Sequence, residues 1–121
     1  MGRVVFVEDD PAIRKLAGAA LRSSSHEIHF ATNGREGLAL VERVRPDVVF
    51  TDVAMPEMDG LQLADAIRSR PELAATRIVF VTASLQKEQI DRYIERGASA
   101  YLAKPFSPKE LRAQVERLVR A

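Results

Sequence analysis

Cysteine is absent from this 121-residue chain, which removes disulfides, thiolate metal sites and cysteine nucleophiles from consideration. No apolar run approaches membrane-spanning length, and the first residues lack the basic-then-apolar plan of a secretory signal, so the expected location is cytoplasmic. A dominant charge is missing too: 18 Lys and Arg against 17 Asp and Glu leave a formal net charge of +1. The basic residues are scattered along the expected helices without interleaved aromatics, a pattern unlike a nucleic-acid footprint, so no direct nucleic-acid binding is expected. Low-complexity segments and long-period repeats are also lacking. What remains is 46% hydrophobic and 29% charged, the balance of a soluble globular protein. The length suits one core and is too short for a second module. Residues 1–121 are therefore expected to form a single domain whose output leaves through a partner.

Five apolar runs, each followed by an amphipathic one, set the rhythm. Val4 to Val7 ends in Glu8-Asp9-Asp10; Asp10 then caps, and Pro11 opens, a helix with Ile13, Leu16, Ala17, Ala20 and Leu21 at helical spacing. Ser23-Ser24-Ser25 breaks it. His26 to Phe30 alternates polar and apolar, as an edge strand with one wetter face would, and such a strand sends His26 and His29 to opposite faces, against a shared metal. Asn33 and Glu36 form a capping pattern for a helix striped by Leu38, Val41 and Val44 and stopped by Pro46. Val48 to Thr51 suits a strand buried on both faces of a parallel sheet, and Asp52 stands at its end. Gly60 leads into Leu61, Ala64 and Ile67, a helix that ends near Ser69-Arg70-Pro71 before a polar connection to Thr76. Ile78 to Val81 is a fourth strand ending in Thr82-Ala83-Ser84, followed by a helix bearing Ile90, Tyr93 and Ile94 and ended by Gly97. Ala100 to Leu102 is a short fifth strand ending in Lys104-Pro105-Phe106. Ser107 to Glu110 is a capping box with Pro108 at the first position of a helix striped by Leu111, Val115, Leu118 and Val119.

Five strand-then-helix units predict an α/β, doubly wound (βα)5 domain, because parallel neighbours need right-handed crossovers that place helices on both faces. With the five-stranded parallel sheet in the flavodoxin-like order 2-1-3-4-5, the switch point lies between strands 1 and 3, where Glu8, Asp9 and Asp52 would meet. Three carboxylates in one crevice repel and call for a cation. An all-oxygen set with a backbone carbonyl nearby is hard-cation chemistry, favouring Mg²⁺ with several retained waters, or Mn²⁺ in its place. Thr82 supplies a hydroxyl and Lys104 a point positive charge, the groups needed opposite a metal to hold a phosphoryl group's oxygens. Asp52 is then a candidate phosphoryl acceptor. Met55 and Met58 read as packing residues.

The segments V-V-F-V-E-D-D-P-A-I-R, D-V-V-F-T-D-V-A-M-P-E-M-D-G, I-V-F-V-T-A-S and G-A-S-A-Y-L-A-K-P-F-S-P-K-E-L, in that order, resemble response-regulator receiver domains over essentially the whole chain. The resemblance implies that Asp52 is phosphorylated, that Asp9, Asp52 and the Ala54 carbonyl bind Mg²⁺ with Glu8 assisting, and that Thr82, Ala83 and Lys104 contact the phosphoryl group. It implies that Thr82 moves toward that group on activation while Tyr101 turns inward, and that the Lys104–Pro105 peptide is cis. The surface of the fourth helix, fifth strand and last helix would then be read by an output partner or an attached effector. The donor implied is a phosphohistidine on a sensor histidine kinase or a histidine phosphotransfer protein, and the expected state is a monomer or a phosphorylation-dependent dimer. Such a protein is a switch that assists its own phosphorylation and dephosphorylation rather than an enzyme. Small residues at Ala54 and Ser84 leave an attacking water unhindered but do not orient it. Where winged-helix regulators carry a pair of acids before the aromatic, this chain has Ser99 and Ala100, so the dimer of that type is not implied.

Other readings are weaker. A dehalogenase-like phosphatase would need a second Asp where Ala54 stands, and a flavodoxin-like cofactor site would be repelled by Glu8-Asp9-Asp10. A receiver-like scaffold that binds partners without phosphorylation is the remaining alternative, opposed by the full set of Asp9, Asp52, Thr82 and Lys104.

Overall fold

Among the residues described by the computed structural model, 2–120, five strands alternate with five α-helices; the first and last residues of the expected 1–121 domain lie outside them. The order is β1 (Arg3–Val7), α1 (Pro11–Ala20), β2 (Glu27–Ala31), α2 (Gly34–Val44), β3 (Val48–Asp52), α3 (Gly60–Arg68), a 3-10 turn (Pro71–Leu73), β4 (Arg77–Thr82), α4 (Lys87–Glu95), β5 (Ala100–Ala103) and α5 (Pro108–Arg120). All strand pairs are parallel and the sheet runs β2-β1-β3-β4-β5, the doubly wound arrangement expected from the alternation. Val7 pairs with Ala31 and Thr51, Asp52 with Val81, and Thr82 with Ala103, so the carboxyl ends of the strands share one rim.

Alternate residues along each strand face opposite sides of the sheet, and each side has its own core. Val4, Phe6, Phe50, Val79 and Val81 pack with Ala17, Leu111, Val115 and Leu118 beneath α1 and α5. There Phe6 stacks on Phe50 with ring centroids 5.5 Å apart. Val5, Val7, Val49, Ile78 and Phe80 pack with Val41, Leu63, Ile67 and Tyr93 beneath α2, α3 and α4. Met55 and Met58 lie against this second core.

Local capping follows the sequence. The Asp10 side chain accepts from Ala12 N, that of Asn33 from Glu36 N, and the Ser107 hydroxyl from Glu110 N. Four details differ from expectation. The buried line of α2 runs through Gly34, Gly37, Leu40 and Val41, while Leu38 and Val44 sit at its margins. Leu16 is 39% and Ile94 60% exposed, because the stripes of α1 and α4 are narrower than their apolar spacing suggests. The connection before Thr76 contains the 3-10 turn, anchored by the buried Leu73. His26 precedes β2 rather than joining it; its Nδ1 accepts from Gly2 N, and its Nε2 lies 2.9 Å from Glu116. His29, on the strand, pairs with Glu27.

Candidate functional site

The rim is built by chain ends that cannot leave the sheet. Beyond β1 the Glu8 N–H still donates to Ala31 O at 3.0 Å, which draws the Glu8 side chain into the interior. Its Oε2 accepts from Asp10 N at 3.1 Å, and its carbonyl accepts from the Arg14 guanidinium at 2.8 Å. Asp52 is the last residue of β3 and is also buried. Its carbonyl accepts from Thr51 Oγ1 at 2.9 Å and faces Gly60, where a Cβ would collide with it. At the end of β5, Lys104 N donates to Thr82 O at 2.8 Å, setting the lysine above the sheet. The peptide from Lys104 to Pro105 is cis.

These ends place Glu8, Asp9 and Asp52 so that one carboxylate oxygen of each lies within 4.8 Å of the others. The Lys104 ammonium stands 2.9 Å from Glu8 Oε1 and 3.0 Å from Asp52 Oδ1. Burial pushes the Glu8 carboxyl up to about 7; Lys104 and the Asp10 N–H pull against that shift, and Asp52 adds to it. For Lys104, burial alone would lower the ammonium, but Glu8 and Asp52 outweigh it and the net direction is upward. Glu8 Oε1 is buried with the ammonium beside it and no aligned hydrogen-bond donor among the described residues. One ammonium thus pairs with two of the three acids, and the three carboxylates together outnumber it. That surplus of oxygen donors fits a hard divalent cation of the Mg²⁺ class, with Ala54 in the adjoining loop.

Beside this cluster a cavity of about 310 Å³ is lined by Asp52, Ala54, Thr82, Ala83 and Lys104, and also by Gln89 and Tyr93 of α4. The Thr82 hydroxyl accepts from Tyr93 OH at 2.9 Å and exchanges two contacts of 3.2 Å with the backbone of Ser84. Tyr101 is not brought to the site. It is 40% exposed on β5 and lines a separate groove of about 420 Å³ with Leu85 and residues of α5. Gln89 and Tyr93 were not singled out as site residues from the sequence. The available signal was their i, i+4 spacing, which puts Gln89 on the face that Tyr93 buries.

The family model of the response regulator receiver domain matches residues 4–116. This chain belongs to that family. It is 35% identical over 117 residues to the transcriptional regulatory protein SrrA of Staphylococcus aureus, covering 97% of this chain and 47% of the relative. The chain spans about half the length of the curated relatives it matches. The chemotaxis response regulator CheY4 of Vibrio cholerae superposes with a TM-score of 0.91 at 32% identity, covering 98% of both chains. The receiver domain of the sensor histidine kinase PA1611 from Pseudomonas aeruginosa, solved with a magnesium ion coordinated in its active-site cleft, superposes at 0.89 with 27% identity, covering 99% of this chain and 98% of that one. The protein is thus a receiver domain of the two-component signalling type, with the fold of the chemotaxis regulators. Among the described residues of this receiver, no helix is long and apolar enough to cross a membrane.

Proposed function

We propose that residues 1–121 form one cytoplasmic receiver domain in which Asp52 accepts a phosphoryl group from a phosphohistidine of a sensor histidine kinase or histidine phosphotransfer protein. The observation that carries this reading is the convergence of Asp52, Lys104 and Thr82 on one cavity beside the three-carboxylate cluster. In the transfer a carboxylate oxygen of Asp52 forms a bond to phosphorus as the donor's N–P bond breaks and the imidazole leaves. Lys104, already against Asp52 Oδ1, offsets charge on the arriving group and holds it for in-line attack. Asp9, Asp52 and the Ala54 carbonyl, with Glu8 beside them, would hold Mg²⁺, which supplies further neutralisation of that charge when bound. Thr82 and Ala83 border the space the phosphoryl oxygens would occupy. Ala54 and Ser84 line that space as well, without a carboxylate or amide to orient an attacking water.

The state of Asp52 would be read on the face of α4, β5 and α5, where Tyr101 stands half out of its groove, by an output partner or an attached effector. Intact-mass spectrometry after incubation with acetyl phosphate and Mg²⁺ tests the central step. One phosphoryl adduct is expected on the wild type, lost with EDTA and absent from Asp52→Ala. No adduct from acetyl phosphate or from a phosphohistidine donor would leave the phosphorylation-independent scaffold as the reading.

A further inference from the structure

Tyr93 comes from the last turn of α4 rather than from a strand end, yet it lines the same cavity as Asp52 and Lys104. Its side chain is 1% exposed, and its ring packs on Phe80 with centroids 4.9 Å apart and planes at 35°. The phenol reaches Thr82 Oγ1 at 2.9 Å as donor. A threonine hydroxyl offers one proton and two lone pairs. Here Tyr93 OH and Ser84 N occupy the lone pairs, and the proton points to Ser84 O at 3.2 Å. Every bonding capacity of Thr82 is in use, and none is directed at Asp52.

For Thr82 to donate to an anion held on Asp52, its proton must leave Ser84 O; turning the hydroxyl about its Cβ–Oγ1 bond carries the accepting lone pair away from the phenol, and turning the side chain about Cα–Cβ carries Oγ1 away as well. Tyr93 cannot follow freely, because its ring is enclosed in the core beneath α4. A buried phenol that loses its acceptor is costly. We infer that Tyr93 is a latch on Thr82: its hydroxyl holds the threonine in the resting rotamer and raises the threshold for Thr82 to engage an anion at Asp52. Tyr93 is in this sense a positioning residue, acting through Thr82. The inference rests on the reading of Asp52 as phosphoryl acceptor.

Beryllofluoride, in the presence of Mg²⁺, serves as the phosphoryl mimic, and its affinity is read from backbone amide shifts for the wild type, Tyr93→Phe, Thr82→Ala and the double variant. Tyr93→Phe keeps the ring on Phe80 and removes only the latch. It should bind about three- to tenfold tighter than wild type, the scale of one neutral hydrogen bond. The double variant should bind like Thr82→Ala alone. Without the anion, side-chain couplings of Thr82 should show a second rotamer in Tyr93→Phe that the wild type lacks. Unchanged or weaker binding by Tyr93→Phe overturns the latch, as does an equal gain in the Thr82→Ala background. If the wild type gives neither beryllofluoride shifts nor a phosphoryl adduct, the Asp52 reading fails and the latch with it. Normal wild-type binding with an unaltered Tyr93→Phe removes the latch alone.

Discussion

At Glu8 a carboxyl group is enclosed by protein while two other acids stand beside it, and its protonation is coupled to folding. In the unfolded chain it titrates near its ordinary 4.5, in the folded protein near about 7. Between those values the folded state keeps a proton that the unfolded state has lost. The group's contribution is therefore favourable below about 4.5, declines as pH rises, and levels off above about 7. The full shift corresponds to an upper bound on the order of 3 kcal/mol. Denaturant unfolding in EDTA should show wild-type stability falling relative to Glu8→Gln between about pH 4.5 and about pH 7. Mg²⁺ should recover most of that loss in the wild type by pairing with the ionised cluster. Parallel pH profiles for the two proteins would show that Glu8 does not carry this linkage.

Among the elements, α3 joins stability to the site through its first turn. Asp59 and Gln62 form a reciprocal capping box, and the next residue, Gly60, leaves room for the Asp52 carbonyl. The two positions should separate in their effects. Asp59→Ala loses a cap, for about 1 kcal/mol, and should leave beryllofluoride affinity intact. Gly60→Ala forces the Asp52 backbone to move, costing about 1–3 kcal/mol and weakening the anion site as well. Equal affinities in the two variants would mean that the strand end tolerates the added methyl group. The caps of α1, α2 and α5 were legible in the sequence because a cap is decided within three residues, as at Asp10, Asn33 and Ser107. The acids of the rim were legible because a parallel sheet gathers its strand ends wherever their partners lie in the chain. What was not legible depends on how a helix sits on the sheet. Leu40 rather than Leu38 joins Val41 in the buried line of α2, and Tyr93 reaches the rim instead of merely filling the core. Both outcomes follow from helix rotation and offset, which periodicity does not contain.

Across the whole molecule the packing is uneven. β1 and β3 lie at the centre of the sheet, with Phe6 and Phe50 stacked beneath α1 and α5. α3 buries Leu61, Leu63, Ala64 and Ile67 and begins in a closed capping box. α4 buries Tyr93 alone among its described residues, and its N-cap Gln86 makes no side-chain capping bond. Such a helix opens at small free-energy cost without the rest of the domain unfolding. Amide deuterium uptake should therefore be fastest, among the helices, along Lys87–Glu95, and slowest in β1 and β3; protection in α4 equal to that in α3 would refute this ordering. The phenol that reaches Thr82 is thus also the one buried anchor among the described residues of α4, so a phosphoryl group on Asp52 that drew Thr82 away would be felt first by the helix with the least to hold it down.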